Sequence, residues 1–264
     1  MKKAVVAIAA VVAVLVAACG GQTPTATQGD ADEIIGRGAV RVCSTGDYRP
    51  FTYRDGQDWT GMDIDLAHSF AEHLKVKLKL VPTTWAGLLD DVGTKCDMAM
   101  GGISINADRA KRALFSAPYL HDGKAAIVRC ADGAKYRTLG DIDRPDVRVV
   151  VNPGGGNAAF DKANLHQAKV ITYPDNNTIF GQLIDGKADV MITDASEIRW
   201  ETKQEPRLCG VSVDHPFSSE EKAYLIAQDN PILQEQVNDW LRIVQGNGAY
   251  AYISEKWLGQ AVKP

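Results

Sequence analysis

The 264 residues carry 29 Lys and Arg against 33 Asp and Glu, for a net charge of −4, and 45% of them are apolar. A mildly acidic body excludes nucleic acid as the expected partner, and the apolar share is ordinary for a globular protein with a packed core. The length suits two modest domains or one larger one.

The chain opens with "MKK", an uncharged apolar run "AVVAIAAVVAVLVAA", and small residues directly before Cys19. This order marks a secretory leader over residues 1–18, and the cysteine after it is the bacterial lipoprotein pattern, in which Cys19 is lipidated and becomes the new N-terminus. The run is short for a bilayer span, which argues against a transmembrane anchor. Loss of Lys2 and Lys3 with the leader takes the charge to −6. Residues 19–30 read as a flexible polar tether. The expectation is an exported periplasmic or cell-surface lipoprotein that meets the membrane only through its N-terminal lipid.

Beyond the tether, strand-like and helical segments alternate. "AVRVCST" reads as a strand, "MDIDLAHSFAEHLK" as an amphipathic helix, "VKLKLVP" as a strand, "WAGLLDDVGT" as a helix, and "CDMAMGG" as a buried strand. "KAAIVRC" closes this half. A second set follows: "DVRVVVNPGGG", "NAAFDKANLH", "AKVITYP", "NTIFGQLIDGK", "ADVMITD" and "ASEIRWETKQ". "EKAYLIAQ" returns as a strand, and two helices close the chain. Strand-helix repetition predicts an α/β fold with largely parallel sheets. Two such sets with a late return strand predict two lobes joined by two crossovers, near residues 129–133 and 213–217. Lobe 1 is then 31–130 with 215–264, and lobe 2 is 131–214.

With Cys19 assigned to lipid, Cys43, Cys96, Cys130 and Cys209 remain. An even number in an exported chain suggests disulfides. Cys130 ends one apolar run and Cys209 begins another, so this pair is favoured, with Cys43 and Cys96 left as free buried thiols. No cysteine spacing and no pair among the five histidines suits a metal, and no metal site is expected.

Open α/β sheets bind ligands beyond the carboxyl ends of their strands, so residues just after strands are the site candidates. "STGDYRPFTY" supplies Asp47, Tyr48 and an aromatic wall. "GGISINADR" supplies Ser104, a helix-capping Asn106 and Arg109, whose planar fork suits a carboxylate. "NPGGGN" supplies Asn152, Gly155 and Asn157 at a helix start. That turn is either an anion site or simply a flexible turn, and it is neither a P-loop nor a dinucleotide fingerprint. "ADVMITDASE" ends in Asp194 and Glu197, two acids on one side of a first helical turn, where the helix dipole favours them whether or not they bind anything.

"TGMDIDLAHSFAEHL", "CDMAMGGISINADRAKRALFSAPY" and "GKADVMITD" resemble the family 3 bacterial extracellular solute-binding proteins over nearly the whole mature chain. "STGDYRPFTYR", "FSAPYLHDGK", "VNPGGGN", "ANLHQAKV", "PDNNTIF" and "FSSEEKAYL" are closer to its cyclohexadienyl dehydratases. The resemblance implies a type II periplasmic-binding-protein-like fold, each lobe a mostly parallel sheet flanked by helices with the cleft between. It implies a carbon-oxygen lyase that converts prephenate or arogenate to phenylpyruvate or phenylalanine by loss of water and carbon dioxide, with no cofactor. It makes Glu197 the general acid and places Asn152 in the site. In the family's amino-acid receptors, Asp194 would hold a ligand's α-amine and Arg109 its α-carboxylate. The implied partner is thus a small dicarboxylate or an amino acid. A receptor would also work with an ABC permease. The chain departs from the dehydratases at Gly156-Asn157-Ala158, where they carry Thr-Asn-Glu; one hydroxyl and one carboxylate are missing.

Overall fold

A computed structural model describes residues 29–262; the leader, Cys19 and nearly all of the tether lie outside the described residues. Helix α1 (Gly29–Arg37) leads into strand β1 (Ala39–Ser44), a small three-stranded sheet of β2 (Asp47–Tyr48), β3 (Thr52–Asp55) and β4 (Asp58–Thr60), helix α2 (Met62–His73) and strand β5 (Lys77–Pro82). Then come α3 (Leu88–Asp91), β6 (Met98–Ala99), α4 (Ala107–Ala110) and β7 (Ala113–Phe115). The apolar stripe of α2 is real: Met62, Ile64, Leu66, Ala67, Phe70 and Ala71 are all buried.

The chain then crosses over through β8 (Leu120–Asp122) into β9 (Lys124–Arg129). It continues through α5 (Leu139–Ile142), β10 (Arg148–Val151), α6 (Gly156–Asn164), β11 (Lys169–Thr172), α7 (Phe180–Ile184), β12 (Val190–Asp194), α8 (Ala195–Gln204) and β13 (Leu208–Val211). It returns through β14 (Glu220–Lys222) to β15 (Leu225–Ala227) and ends with α9 (Pro231–Gly246) and α10 (Ala249–Leu258). Asn230 caps α9, its side chain accepting from Leu233 N at 2.9 Å, with Pro231 opening the helix.

Two five-stranded sheets result, ordered β5-β1-β6-β15-β7 and β11-β10-β12-β9-β13. Within each, the strands pair in parallel except where β15 in the first and β9 in the second run against both neighbours. The opposed strand in each sheet is the one that arrives from a crossover. The fold is therefore α/β and two-lobed, with mostly parallel sheets.

The lobe boundary differs from the sequence reading. "KAAIVRC" does not close the first lobe; as β9 it lies between β12 and β13 in the second sheet, and Lys124 to Val128 are buried accordingly. A strand covered on both faces belongs to a sheet centre. The crossovers thus sit at Gly123 and just before β14, where β8 and β14 pair as a two-stranded antiparallel ribbon. At Gly123 the two crossing chains touch: a Cβ there would lie 2.1 Å from the Ser218 carbonyl oxygen. "EKAYLIAQ" divides likewise into β14, in this ribbon, and β15, in the first sheet.

Cys130 and Cys209 are bridged, as are Cys43 and Cys96, which the sequence reading left as free thiols. The second bridge forms because β6 is the parallel neighbour of β1, with Cys43 opposite Ala99, so Cys96 comes within a Cα separation of 5.6 Å. It closes a 53-residue span. Replacing both cysteines by alanine is expected to lower unfolding stability by about 2–4 kcal/mol, read as a drop in the urea midpoint.

Candidate functional site

The cleft between the lobes is built at the strand ends. On the first lobe, Tyr48 leaves β2, stacks on Phe51 at 5.4 Å and meets Trp85 edge-on at 5.5 Å. This is the aromatic wall expected from "STGDYRPFTY". Asp63 fixes the neighbouring turn. Its carboxylate, at the start of α2, accepts from Gly102 N at 2.6 Å and from the hydroxyls of Tyr119 at 2.7 Å and Tyr224 at 3.1 Å. The turn so held presents Ser104 and leads to Arg109. Asn106 caps α4 as expected, accepting from Arg109 N at 2.9 Å. The Arg109 side chain is buried, donates to the Ser104 carbonyl at 2.8 Å and has no acid partner among the described residues, so most of its fork is unspent.

On the second lobe, Asn152, Gly155, Gly156 and Asn157 line the cleft together with Asp194. Asn152 is buried and its Oδ1 accepts nothing, which leaves it ready for a ligand donor. Gly155 packs against the Trp85 ring across the cleft. Gly154 comes closer still: with φ at +80°, a Cβ there would lie 3.0 Å from Ala86 N. The lobes are in contact, and the space left at the cleft floor is only about 20 Å³. Beside it, a wider space of about 480 Å³ is lined by Trp85, Ser104, Arg109 and Gly155.

Eight of the nine predicted cleft residues thus fall around one locus, with Glu197 just behind the lining. Asp47 is the ninth and faces elsewhere. It accepts from the Trp85 indole at 3.1 Å, and its backbone carbonyl accepts from Asn176 Nδ2 at 2.8 Å. It positions the aromatic wall and does not itself line the cleft floor.

Two residues that the sequence reading did not select dominate the electrostatics. Lys124, the first residue of β9, and Lys222, the last of β14, both grip Asp194, at 2.7 Å and 2.5 Å. They are 2% and 0% exposed. The Lys124 ammonium also donates to Asn157 Oδ1 at 2.7 Å and has Glu220 at 3.7 Å; that of Lys222 donates to Ser104 Oγ at 2.9 Å. The Tyr48 hydroxyl donates to Asp194 as well. Burial pushes the Asp194 carboxyl up, but Lys124 and Lys222 overcome this and hold it well below the usual carboxylate range. Burial pulls Lys124 down, and Asp194 and Glu220 more than reverse it. The only clue in the sequence was a lysine heading or interrupting an apolar run at each crossover.

Glu197, on the first turn of α8, is 1% exposed. Burial drives its carboxyl well above the ordinary glutamate value, and Glu201 and Asp194 add to this against a lowering hydrogen bond from Thr193 and the pull of Lys124. The Thr193 hydroxyl links it to the cleft, donating to Glu197 while accepting from Asn157 Nδ2 at 2.9 Å. A carboxyl group whose acid form is favoured by burial therefore stands behind the two lysines of the cleft.

One turn beyond Asn157 on α6, Asp161 is buried with neither oxygen hydrogen-bonded, and burial raises it to about 7 against the attraction of Lys124. A raised carboxyl binds its proton more tightly when folded. Its contribution to stability is complete below pH 4 and is lost as pH rises through 7. Asp161→Asn should thus gain up to about 4 kcal/mol over the parent at pH 8 and almost nothing at pH 4, in paired urea titrations. Among the described residues no cluster of three His, Cys, Asp or Glu could hold a metal ion.

Residues 40–260 match the model of the bacterial extracellular solute-binding proteins, family 3. The chain belongs to this family. A cyclohexadienyl dehydratase of Pseudomonas aeruginosa is 45% identical over 229 residues, spanning 86% of this chain and 85% of that protein. Among solved structures, an ancestral amino-acid-binding protein described as a precursor of cyclohexadienyl dehydratase superposes with a TM-score of 0.81 at 34% identity, over 86% of this chain and 99% of its own. An ancestral cyclohexadienyl dehydratase is 46% identical over 87% of this chain and 96% of its own, with a TM-score of 0.54. This member of family 3 thus shares its fold with both binders and enzymes, and fold alone does not assign the chemistry.

Proposed function

We propose that the protein is a cyclohexadienyl dehydratase, acting on prephenate, arogenate or both. The observation that carries this reading is the state of Asp194. In a receptor for amino acids that carboxylate would have to meet the ligand's amine. Here two buried lysines and the Tyr48 hydroxyl already occupy it. The remaining capacity of the cleft is for anions: the open fork of Arg109, the third N–H of Lys124 and the amino end of α6. A dicarboxylate suits that set. The 45% identical relative named as such an enzyme supports the same reading.

In the proposed reaction, Arg109 and Lys124 hold the carboxylates while Tyr48 and Trp85 wall the ring. Glu197 gives its proton to the ring hydroxyl, which leaves as water. The bond between the opposite ring carbon and its carboxylate then breaks, carbon dioxide departs, and the electron pair of that bond completes the aromatic ring. The protein needs only anion clamps, a dry cradle and one proton. Asp194 keeps both lysines charged and in place. Asn157, the residue of this turn that the dehydratases share, ties Lys124 to Thr193.

Family membership points to export, and we read Cys19 as the lipid anchor. The test of function is turnover of prephenate by the purified protein, followed as phenylpyruvate. Steady formation, abolished by Arg109→Ala, is the expected result. No product, with a thermal shift on adding an amino acid, would replace the enzyme by a transport receptor.

A further inference from the structure

A second cavity of about 110 Å³ lies beside the hinge strand β8, between α8 and the segment that follows α10. Its walls are unusual in two respects. The Trp200 and Trp257 rings pack against each other in a tilted pair, at 5.9 Å and 41°. The buried Trp200 Nε1 has no acceptor, whereas the Trp257 indole donates to Asp65 at 2.8 Å and is fixed by it. A buried donor left without an acceptor is unfavourable until something supplies one.

The other polar groups at this wall are mostly donors. Arg199 uses one nitrogen, Nη2, for the Val213 carbonyl and Asp214, both at 3.0 Å, which leaves the rest of its fork open. The Lys203 ammonium reaches over Gly259 at the end of α10. Asp122, the acid in the wall, is turned inward to Ser196 and Gly123 N and is satisfied there. Indole faces take a flat ring, and an indole N–H beside a guanidinium takes an anionic oxygen.

The geometry points to a second binding site, for a small aromatic monocarboxylate. It is a different site from the cleft and does not depend on the reaction assigned there. One wall comes from α8 of the second lobe and the other from the end of the chain, which packs on the first. A ligand in it touches both lobes, so its affinity is coupled to cleft closure, and each site must change the other by the same factor. Ser196 and Trp200, which line it, flank Glu197 on the same helix.

The test is isothermal titration of phenylacetate into the purified protein and three variants. Binding should saturate, persist in Arg109→Ala, and weaken by about tenfold or more in Trp257→Ala and Arg199→Ala. Arg199 is exposed, so its removal leaves no cavity in the core, and an unchanged urea midpoint in that variant separates lost binding from unfolding. Binding that vanishes in Arg109→Ala or ignores Arg199→Ala, or the absence of binding at millimolar phenylacetate, overturns the site.

Discussion

Glu197→Gln is expected to lower prephenate turnover by about 10²–10⁴-fold while the protein stays folded and still binds its substrate. The amide is the shape of the acid, so the buried site is filled as before and the Thr193 hydroxyl keeps an acceptor. What is lost is the proton. The pH profile carries the same information. Because burial holds the Glu197 carboxyl well above its ordinary value, the acid form persists to higher pH than in an exposed glutamate. Turnover should be level at lower pH and decline as pH rises through the Glu197 pKa, and this falling limb should be absent from the residual rate of the glutamine variant. Near-normal turnover in Glu197→Gln would remove this residue from the mechanism and leave the proton to another donor.

Asp194→Ala is expected to cost about 3–5 kcal/mol of stability. The substitution strands Lys124 and Lys222, both essentially inaccessible to water, without their shared counter-charge. Removing one member of a buried ion cluster leaves the others uncompensated, which costs far more than never having built it. Replacing all three by apolar residues of similar size, Asp194→Leu with Lys124→Met and Lys222→Met, should therefore recover much of the loss in urea denaturation but not substrate binding. The pH dependence has a definite sign. Asp194 is held below its unfolded pKa, so its contribution is complete above that value and is lost as pH falls through the folded one. The parent should lose this stability in acid, and the Asp194→Ala variant should lack that component. An unchanged denaturation midpoint in Asp194→Ala would mean that the lysines are hydrated in solution.

Much of the site could be read from residue order because a parallel sheet puts its functional groups at strand ends. Ser104, Arg109, Asn152, Gly155, Asn157 and Asp194 were found by that rule alone. Asp47 obeyed the same rule and still faces away, because a loop residue's direction depends on its packing, here the Trp85 indole. Lys124 and Lys222 escaped because each sits in an apolar run, where a lysine reads as the edge of a strand. Only the topology brings the two crossovers, and hence the two ammonium groups, onto one carboxylate. The same gap explains Cys43 and Cys96. Their pairing requires β6 to lie beside β1, and strand order is a long-range property that local periodicity does not contain. The boundary at Gly123 was misplaced for a related reason: an apolar run shows that a strand is buried but not which sheet receives it.

The contact at Gly123 bears on how the molecule moves. Two independent tethers would let one lobe tilt, twist and slide against the other. Here the tethers meet backbone to side-chain-free backbone and then pair as one ribbon, so they cannot be displaced separately. Relative motion is reduced towards a single angular coordinate. A pair of spin labels, one on each lobe, should accordingly report two narrow distance distributions exchanged by substrate, and Gly123→Ala, by prying the strands apart, should broaden both.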